Sequence, residues 1–284
     1  MDTPQPWFVP FARNVTSQFG EDGIVEEIFR RVGVANRWCA EFGAADGAYC
    51  SNTSHLIGKE GFSAVLIEGS PAAFAKLQQH CRDNPRAHLI NAYVGFDADN
   101  RLDALLRSKG APPDLDLLSI DIDGNDYHIW ESLQEHRPRI VIIEFNPTIP
   151  SQVEFVQPRD MGVSQGCSLR SLVHLGRAKG YELAAVTEAN GIFVHAPLYA
   201  RLGVVDNSIP ALRVSDKAVT YLFTGYDGRV FLRGGQRLPW HRLSLKEARF
   251  QVLPWFLRRY PGNYNILQRW LAALHRSLYK KRII

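Results

Sequence analysis

The sequence predicts an α/β fold: a Rossmann-like sheet of seven strands, parallel except for a C-terminal antiparallel hairpin, followed by a basic C-terminal extension. Three observations carry this reading. From residue 37 to residue 145, five short apolar runs alternate with helical stretches, the pattern of a parallel sheet covered on both faces. Two further runs flank Glu188-Ala189-Asn190, which has the character of a hairpin turn. Charge is also uneven: residues 197–284 hold 16 Lys+Arg against 4 Asp+Glu, a net of +12, whereas residues 1–196 carry −8. That step places a boundary between a domain at 1–196 and an extension at 197–284.

The elements follow in order. In 17–32 (SQFGEDGIVEEIFRRV) Ile24, Val25, Ile28, Phe29 and Val32 recur at helical spacing, acids crowd the start, and Arg30 and Arg31 precede Gly33. Strands are expected at 37–43, 63–68, 87–94, 116–121 and 139–145, with helices between them at 53–59, 71–82, 102–109 and 127–135. The segment 146–166 is polar and contains Pro147, Pro150 and Pro158, so it reads as a long ordered or closing loop. A helix at 168–179, capped by Ser168, leads into the hairpin strands 181–187 and 191–195. A plain dinucleotide-binding sheet has no reason to end in this way.

Bulk properties exclude several classes. The 284 residues are 45% hydrophobic and 22% charged, ordinary for a chain that buries a full core. No run approaches the ~18 apolar residues of a membrane span. The opening MDTPQPWFVPFARN lacks the basic start and apolar core of a signal peptide. Cys39, Cys50, Cys81 and Cys167 have no paired spacing, neither a disulfide framework nor a zinc site. The expected location is the cytoplasm, with a peripheral position at the inner membrane surface as an extension of that reading.

The loop after the first strand, Glu41-Phe42-Gly43-Ala44-Ala45-Asp46-Gly47, is built from small residues that let a ligand approach the backbone. A dinucleotide loop would read G-x-G-x-x-G and open onto a helix that receives a pyrophosphate. This loop instead carries Glu41 and Asp46, which repel a pyrophosphate and suit a ligand with a sulfonium, an ammonium and sugar hydroxyls. Glu68 ends the second strand, where an α/β fold places the acid that accepts hydrogen bonds from both ribose hydroxyls. Ser70, just beyond it, is assigned to the same site.

The blocks SQFGEDGIVEEIF, AEFGAADGAYCSNTSHL, AVLIEGSPAAFAKL, LLSIDIDGNDYHIWESL and IVIIEFNP, in that order, resemble the FkbM-like family of S-adenosylmethionine-dependent methyltransferases over residues 17–195. The resemblance implies the seven-stranded methyltransferase sheet and S-adenosylmethionine as cofactor. It implies that Gly43, Asp46 and Gly47 line the cofactor loop, that Glu68 binds ribose, and that Ser51, Asn52 and Thr53 open the next helix beside them. It further implies methyl transfer to a hydroxyl oxygen of a sugar or glycan acceptor. It is silent beyond about residue 197.

Asp121-Ile122-Asp123-Gly124-Asn125-Asp126 ends the fourth strand and Glu144-Phe145-Asn146-Pro147 the fifth. Neighbouring strands lie about 4.8 Å apart, so their ends can converge on one site. Two readings stand side by side. Asp121, Asp123, Glu144 and Asn146 offer the oxygen ligands preferred by Mg²⁺ or Mn²⁺. Alternatively Asp121 or Glu144 is a general base without metal, with His128 as a further candidate base. Against both stands a plain turn and helix cap, to which Asp, Gly and Asn are suited, above all for Asn125 and Asp126. His174 is a possible base too, in a helical segment where a lone histidine is usually structural, and His55 and Trp130 read as helix-face packing.

In the extension, 221–232 reads as a hairpin turning at Asp227-Gly228, and 266–279 as an amphipathic helix. Leu267, Trp270, Leu271, Leu274 and Leu278 form its apolar side, with Arg269, His275, Arg276, Lys280, Lys281 and Arg282 around it. Attachment to an anionic membrane surface is one reading. Docking on the protein's own domain or on a second subunit, as a homo-oligomer, is the other. No nucleic-acid motif accompanies Trp255, Phe256 and Tyr260, so no nucleic-acid partner is expected. The rival functions are a nicotinamide-dependent oxidoreductase and a non-catalytic scaffold that keeps the cofactor fold.

Overall fold

The computed structural model describes residues 5–281. Arg282, counted above among the basic residues of the last helix, and the first four residues of the N-terminal stretch lie outside them. The elements run α1 (Glu21–Val32), β1 (Trp38–Phe42), α2 (Ser54–Gly58), β2 (Ser63–Glu68), α3 (Pro71–His80), β3 (Ala87–Asn91), α4 (Leu102–Ser108), β4 (Leu117–Ile120), α5 (Asp126–Ser132), β5 (Ile140–Glu144), α6 (Leu169–Ala178), β6 (Tyr181–Val186), β7 (Asn190–His195), α7 (Ala196–Tyr199) and α8 (Ile209–Leu212). Packing divides the chain into two compact units, Met1–Ser215 and Asp216–Ile284.

In the first unit seven strands form one sheet in the order β3-β2-β1-β4-β5-β7-β6. Strands β3 through β5 are mutually parallel, and β7 runs antiparallel to both β5 and β6. This is the Rossmann-like sheet with a closing antiparallel hairpin that the sequence predicts. The central strands are apolar on both faces because helices cover both: Ala40, Leu117, Leu118, Ile120 and Ile140 through Ile143 are almost completely buried. Chain reversal between β1 and β4 makes this the point where ligands enter an open α/β sheet.

Buried acids fasten the periphery to this core. Asp22 accepts from the N–H groups of Val15, Thr16 and Ser17, and Glu21 accepts from Thr187 Oγ1 and Asn190 Nδ2 in the β6–β7 turn. The acidic pair in SQFGEDG is thus structural, tying α1 to the hairpin. Asp116, fully buried before β4, accepts from the N–H groups of Ala35, Asn36 and Arg37 and pairs with Arg139.

Two elements are shorter than the sequence predicts. Helix α5 stops at Ser132 because the N–H groups of Gln134, Glu135 and His136 turn to the carboxylate of Asp103, which also holds the His136 ring at 2.7 Å. Burial works to raise the Asp103 pKa, but these hydrogen bonds overcome it and bring it down to about 2. Strand β3 ends at Asn91, and Ala92, Tyr93 and Val94 leave the sheet to line a cavity.

The charge step at residue 197 and the division by packing fall at different places. Residues 197–215 pack on the first unit: Leu202 and Leu212 are buried, and Tyr199 donates to Leu183 O. The second unit contains the hairpin β8 (Thr220–Thr224) and β9 (Val230–Gly234), the short pair β10 (Arg237–Leu238) and β11 (Leu243–Ser244), and α9 (Ile266–Lys280). Its small interior is Val219, Val230, Leu232 and Leu257. Among the described residues no helix is long and apolar enough to cross a membrane.

Candidate functional site

At the C-terminal edge of the sheet the β1 loop closes against β4. Gly43 has φ +75°, and a Cβ there would lie 1.8 Å from the backbone oxygen of Asp121, so only glycine fits between the two strand ends. The Gly43 and Ala44 N–H groups bond to Ile67 O, drawing the loop over β2 as well. Glu68, ending β2, accepts from Ala45 N at 2.8 Å with one oxygen and from Ser70 N at 2.6 Å with the other. Each carboxylate oxygen keeps a second lone pair for a ligand.

Gly43, Glu68 and Gly69 form one wall of a cavity of about 240 Å³. Ala92, Tyr93 and Val94 after β3 add a second wall, and Ile122, Gly124 and Asn125 after β4 a third. Met161, Val163 and Ser164 of the proline-containing loop complete it. The lining holds no Lys or Arg. The Tyr93 ring lies where a Cβ on Gly69 would stand, 2.3 Å from its nearest atom, and is 69% exposed. Asn125 is 3% exposed; its Nδ2 donates to Asp160 O, while its buried Oδ1 has no hydrogen-bond partner among the described residues.

Beside this cavity the ends of β4 and β5 converge. Asp121, Asp123 and Glu144 bring carboxylate oxygens within 4.8 Å of one another. Burial, and then the charges of Asp126 and Asp123, push Asp121 above the usual carboxylate range. Burial and the Asp121 charge push Glu144 further up. Both carboxyl groups are therefore held above the ordinary carboxylate range, each raised by burial and by the other acids beside it.

Several predicted site residues make hydrogen bonds or packing contacts within the frame. Glu41 is buried: Ser51 Oγ (2.6 Å), Thr53 Oγ1 (2.7 Å) and Asn52 N (2.8 Å) take up its carboxylate, so it supports the loop from within and does not line the cavity. Burial raises its pKa against the pull of those bonds. Asn52 donates to Ser119 Oγ inside the same buried network. Asp46 accepts from Ala48 N and Tyr49 N, which lower its pKa, and closes the turn that contains Gly47. A Cβ on Gly47 would meet Leu77 at 2.4 Å, a packing constraint. Ser70 caps α3.

Asp126, the first residue of α5, accepts from Ile122 N and Gly124 N and so closes the turn before the helix without a side-chain cap, and burial raises its pKa to about 6. Asn146 does not join the acid cluster through its amide oxygen, which accepts from Thr148 N and Oγ1. His128 turns away from the acids: its Nε2 bonds Gln157 O at 2.8 Å and its ring packs on Phe96 and Tyr127. The residues that sequence reasoning missed are Tyr93, Asn125, Met161, Val163 and Ser164. The only signal for the last three was the polar, proline-punctuated segment that follows β5.

Residues 97–183 match the family model described as the Methyltransferase FkbM domain. No curated protein sequence matches the chain. Among solved structures, the chain is similar to the N-terminal domain of EvdMO1 with SAH bound, at 12% identity over 62% of this chain and 80% of that one, TM-score 0.41. It is similar also to the glycopeptide N-methyltransferase MtfA complexed with S-adenosylmethionine, at 14% identity over 66% and 98%, TM-score 0.37. A third is a SAM-dependent methyltransferase from Aquifex aeolicus, at 10% identity over 60% and 88%, TM-score 0.35. The family match spans β4, β5 and the acid cluster but leaves the Gly43 loop and Glu68 outside it. The matched segment, under a third of the chain, carries the three convergent carboxylates, and the family it matches is the one that the sequence motifs resemble.

Proposed function

We propose that this protein moves a methyl group from S-adenosylmethionine to a hydroxyl oxygen, and that the acceptor is a sugar or glycan. The observation that carries the reading is the adjacency of two features at one sheet edge: a cavity lined without Lys or Arg and bordered by Gly43 and Glu68, and the convergent carboxyl groups of Asp121 and Glu144. When bound, the cofactor supplies an electrophilic methyl on a positively charged sulfur. Nearby carboxylates, and a lining without Lys or Arg, suit that charge and oppose a pyrophosphate. Glu68 has the free lone pairs to accept both ribose hydroxyls. Asn125 Oδ1, buried and unpartnered, is an acceptor for a ligand N–H, since leaving it unmade costs about 1–3 kcal/mol.

Methyl transfer to oxygen needs a base that takes the hydroxyl proton as the new bond forms. Asp121 is that base in this reading. The raised pKa matches a base that works near neutral pH better than an ordinary carboxylate would. Turnover therefore rises with pH through a range above that of ordinary carboxylates, as Asp121 ionises.

A second reading is favoured by the convergence of three carboxylates. Asp121, Asp123 and Glu144 are hard oxygen donors that fit Mg²⁺ or Mn²⁺, which when bound would lower the pKa of an acceptor hydroxyl. Such binding would compete with protonation of these carboxyl groups, so it would strengthen as pH rises. The test uses turnover of well-dialysed enzyme. Asp121→Asn is expected to lower turnover by roughly 10²–10⁴-fold with S-adenosylhomocysteine affinity nearly unchanged. Full turnover by this variant removes the base assignment; turnover untouched by EDTA removes the metal.

A further inference from the structure

The unit from Asp216 onward has a small interior and a large apolar exterior. Helix α9 opens with a reciprocal capping box between Asn265 and Gln268, so its start is satisfied locally. None of its 15 residues is buried. Ile266 is 87% exposed, Leu267 63%, Trp270 62% and Leu274 42%. Their spacing puts these four on one face of the helix. Arg269, Arg276 and Lys280, spaced by seven and four, form a second stripe along its flank. Elsewhere in the unit Trp240, Leu243, Trp255 and Tyr260 are also exposed.

The charge of the unit narrows what can cover such a surface. Residues 216–281 contain 13 Lys+Arg and 3 Asp+Glu. A second copy would bring an equally cationic surface against this one, and like charges oppose that approach. Single-stranded RNA would use the aromatic rings and the cations but would leave the aliphatic Ile266, Leu267 and Leu274 in water. An anionic bilayer surface satisfies all three features together: aliphatic side chains enter the acyl boundary, tryptophans sit at the headgroup level, and Arg and Lys meet phosphates. At 15 residues α9 is too short to span, so it would lie in the interface plane.

We propose that the unit beginning at Asp216 docks on anionic lipid bilayers, with the Ile266, Leu267, Trp270 and Leu274 face of α9 seated in the interface and Arg269, Arg276 and Lys280 at the lipid phosphates. Membrane attachment is independent of the methyl-transfer reading and is measured without cofactor.

The test is co-sedimentation of the full chain with phosphatidylcholine vesicles that contain or lack phosphatidylserine. Binding to the anionic vesicles is expected to be at least about tenfold stronger and to weaken as NaCl is raised. Trp270→Asp with Leu274→Asp should abolish it, while circular dichroism shows the fold retained, as expected for exposed positions. Arg269→Glu with Arg276→Glu should weaken binding about tenfold or more and flatten its salt dependence. Equal or absent binding to both vesicles overturns the proposal, as does wild-type binding by the Trp270→Asp, Leu274→Asp protein. A dimer that this double variant dissociates, or tighter binding to a single-stranded RNA than to vesicles, overturns it as well.

Discussion

At the scale of single residues, the strand ends carry the proposed chemistry and a few close approaches hold them there. Gly43→Ala places a methyl group 1.8 Å from Asp121 O at a left-handed backbone position. Thermal denaturation of this variant should show a loss of at least about 2 kcal/mol; a Tm equal to wild type would mean that β1 and β4 do not meet as described. Glu68→Ala removes charged hydrogen bonds proposed for the cofactor ribose and should weaken S-adenosylhomocysteine binding by roughly 10–100-fold in calorimetry. The Asp121–Glu144 pair has a linked effect on stability. Its folded pKa values are raised above the unfolded ones, so the folded state binds the extra proton more tightly and stability falls as pH rises from the ordinary carboxylate range through the raised values. Glu144→Gln should therefore raise Tm more at about pH 8 than at about pH 5, and an equal shift at both would mean that the pair is not held above the ordinary carboxylate range. Residue type and strand position made Gly43, Glu68, Asp121, Asp123 and Glu144 legible in the sequence. Glu41 was legible only as an acid near the loop. That Ser51, Asn52 and Thr53 return to occupy it depends on a chain path that local sequence does not specify.

At the scale of elements, the segment after β5 is the part that sequence patterning described least and that the cavity depends on most. Its inner pin is Gln157, 2% exposed: Oε1 accepts from Gln165 N and Gly166 N, Nε2 donates to Val163 O, and its carbonyl accepts from His128 Nε2. Arg213 holds the start of the same segment through Pro147 O, Ile149 O and Ser151 Oγ. Gln157→Ala would strip three side-chain hydrogen bonds from a buried position, at a cost of about 2–4 kcal/mol. Most of that loss should appear locally, as faster hydrogen exchange at 158–166 and weaker cofactor binding, because Met161, Val163 and Ser164 line the cavity. Unchanged exchange there would show that the loop is held by other means. Prolines and polarity marked this segment as an ordered loop, but a glutamine bonded back to its own loop leaves no periodic trace. The strands, with periodic apolar runs, and the hairpin, with its turn residues, did leave one. Strand β3 and helix α5 were overextended because apolar character continues past the points where Tyr93 and the Asp103-bound turn leave regular structure.

At the scale of the whole molecule, sequence rhythm predicts a seven-stranded sheet, and the observed strand order has β1 and β4 at its centre with their C-terminal ends on one edge. That topology brings residues about 25 and 80 positions apart in the chain, Gly43 with Glu68 and Gly43 with Asp121, into a single site. Composition also divides the molecule. Acidic character prevails in the sheet unit and basic character in the unit after Ser215, although residues 197–215 pack with the sheet despite lying beyond the charge step. Charge therefore reports what each surface meets, whereas packing reports where each unit ends. The central claim is that the cavity bounded by Gly43, Glu68, Tyr93 and Asn125 receives the adenosyl part of S-adenosylmethionine. Calorimetric titration of the full chain with S-adenosylhomocysteine tests it most directly: one site of micromolar affinity, lost in Glu68→Ala, is the predicted result. No detectable heat, from protein shown by circular dichroism to be folded, would contradict the account.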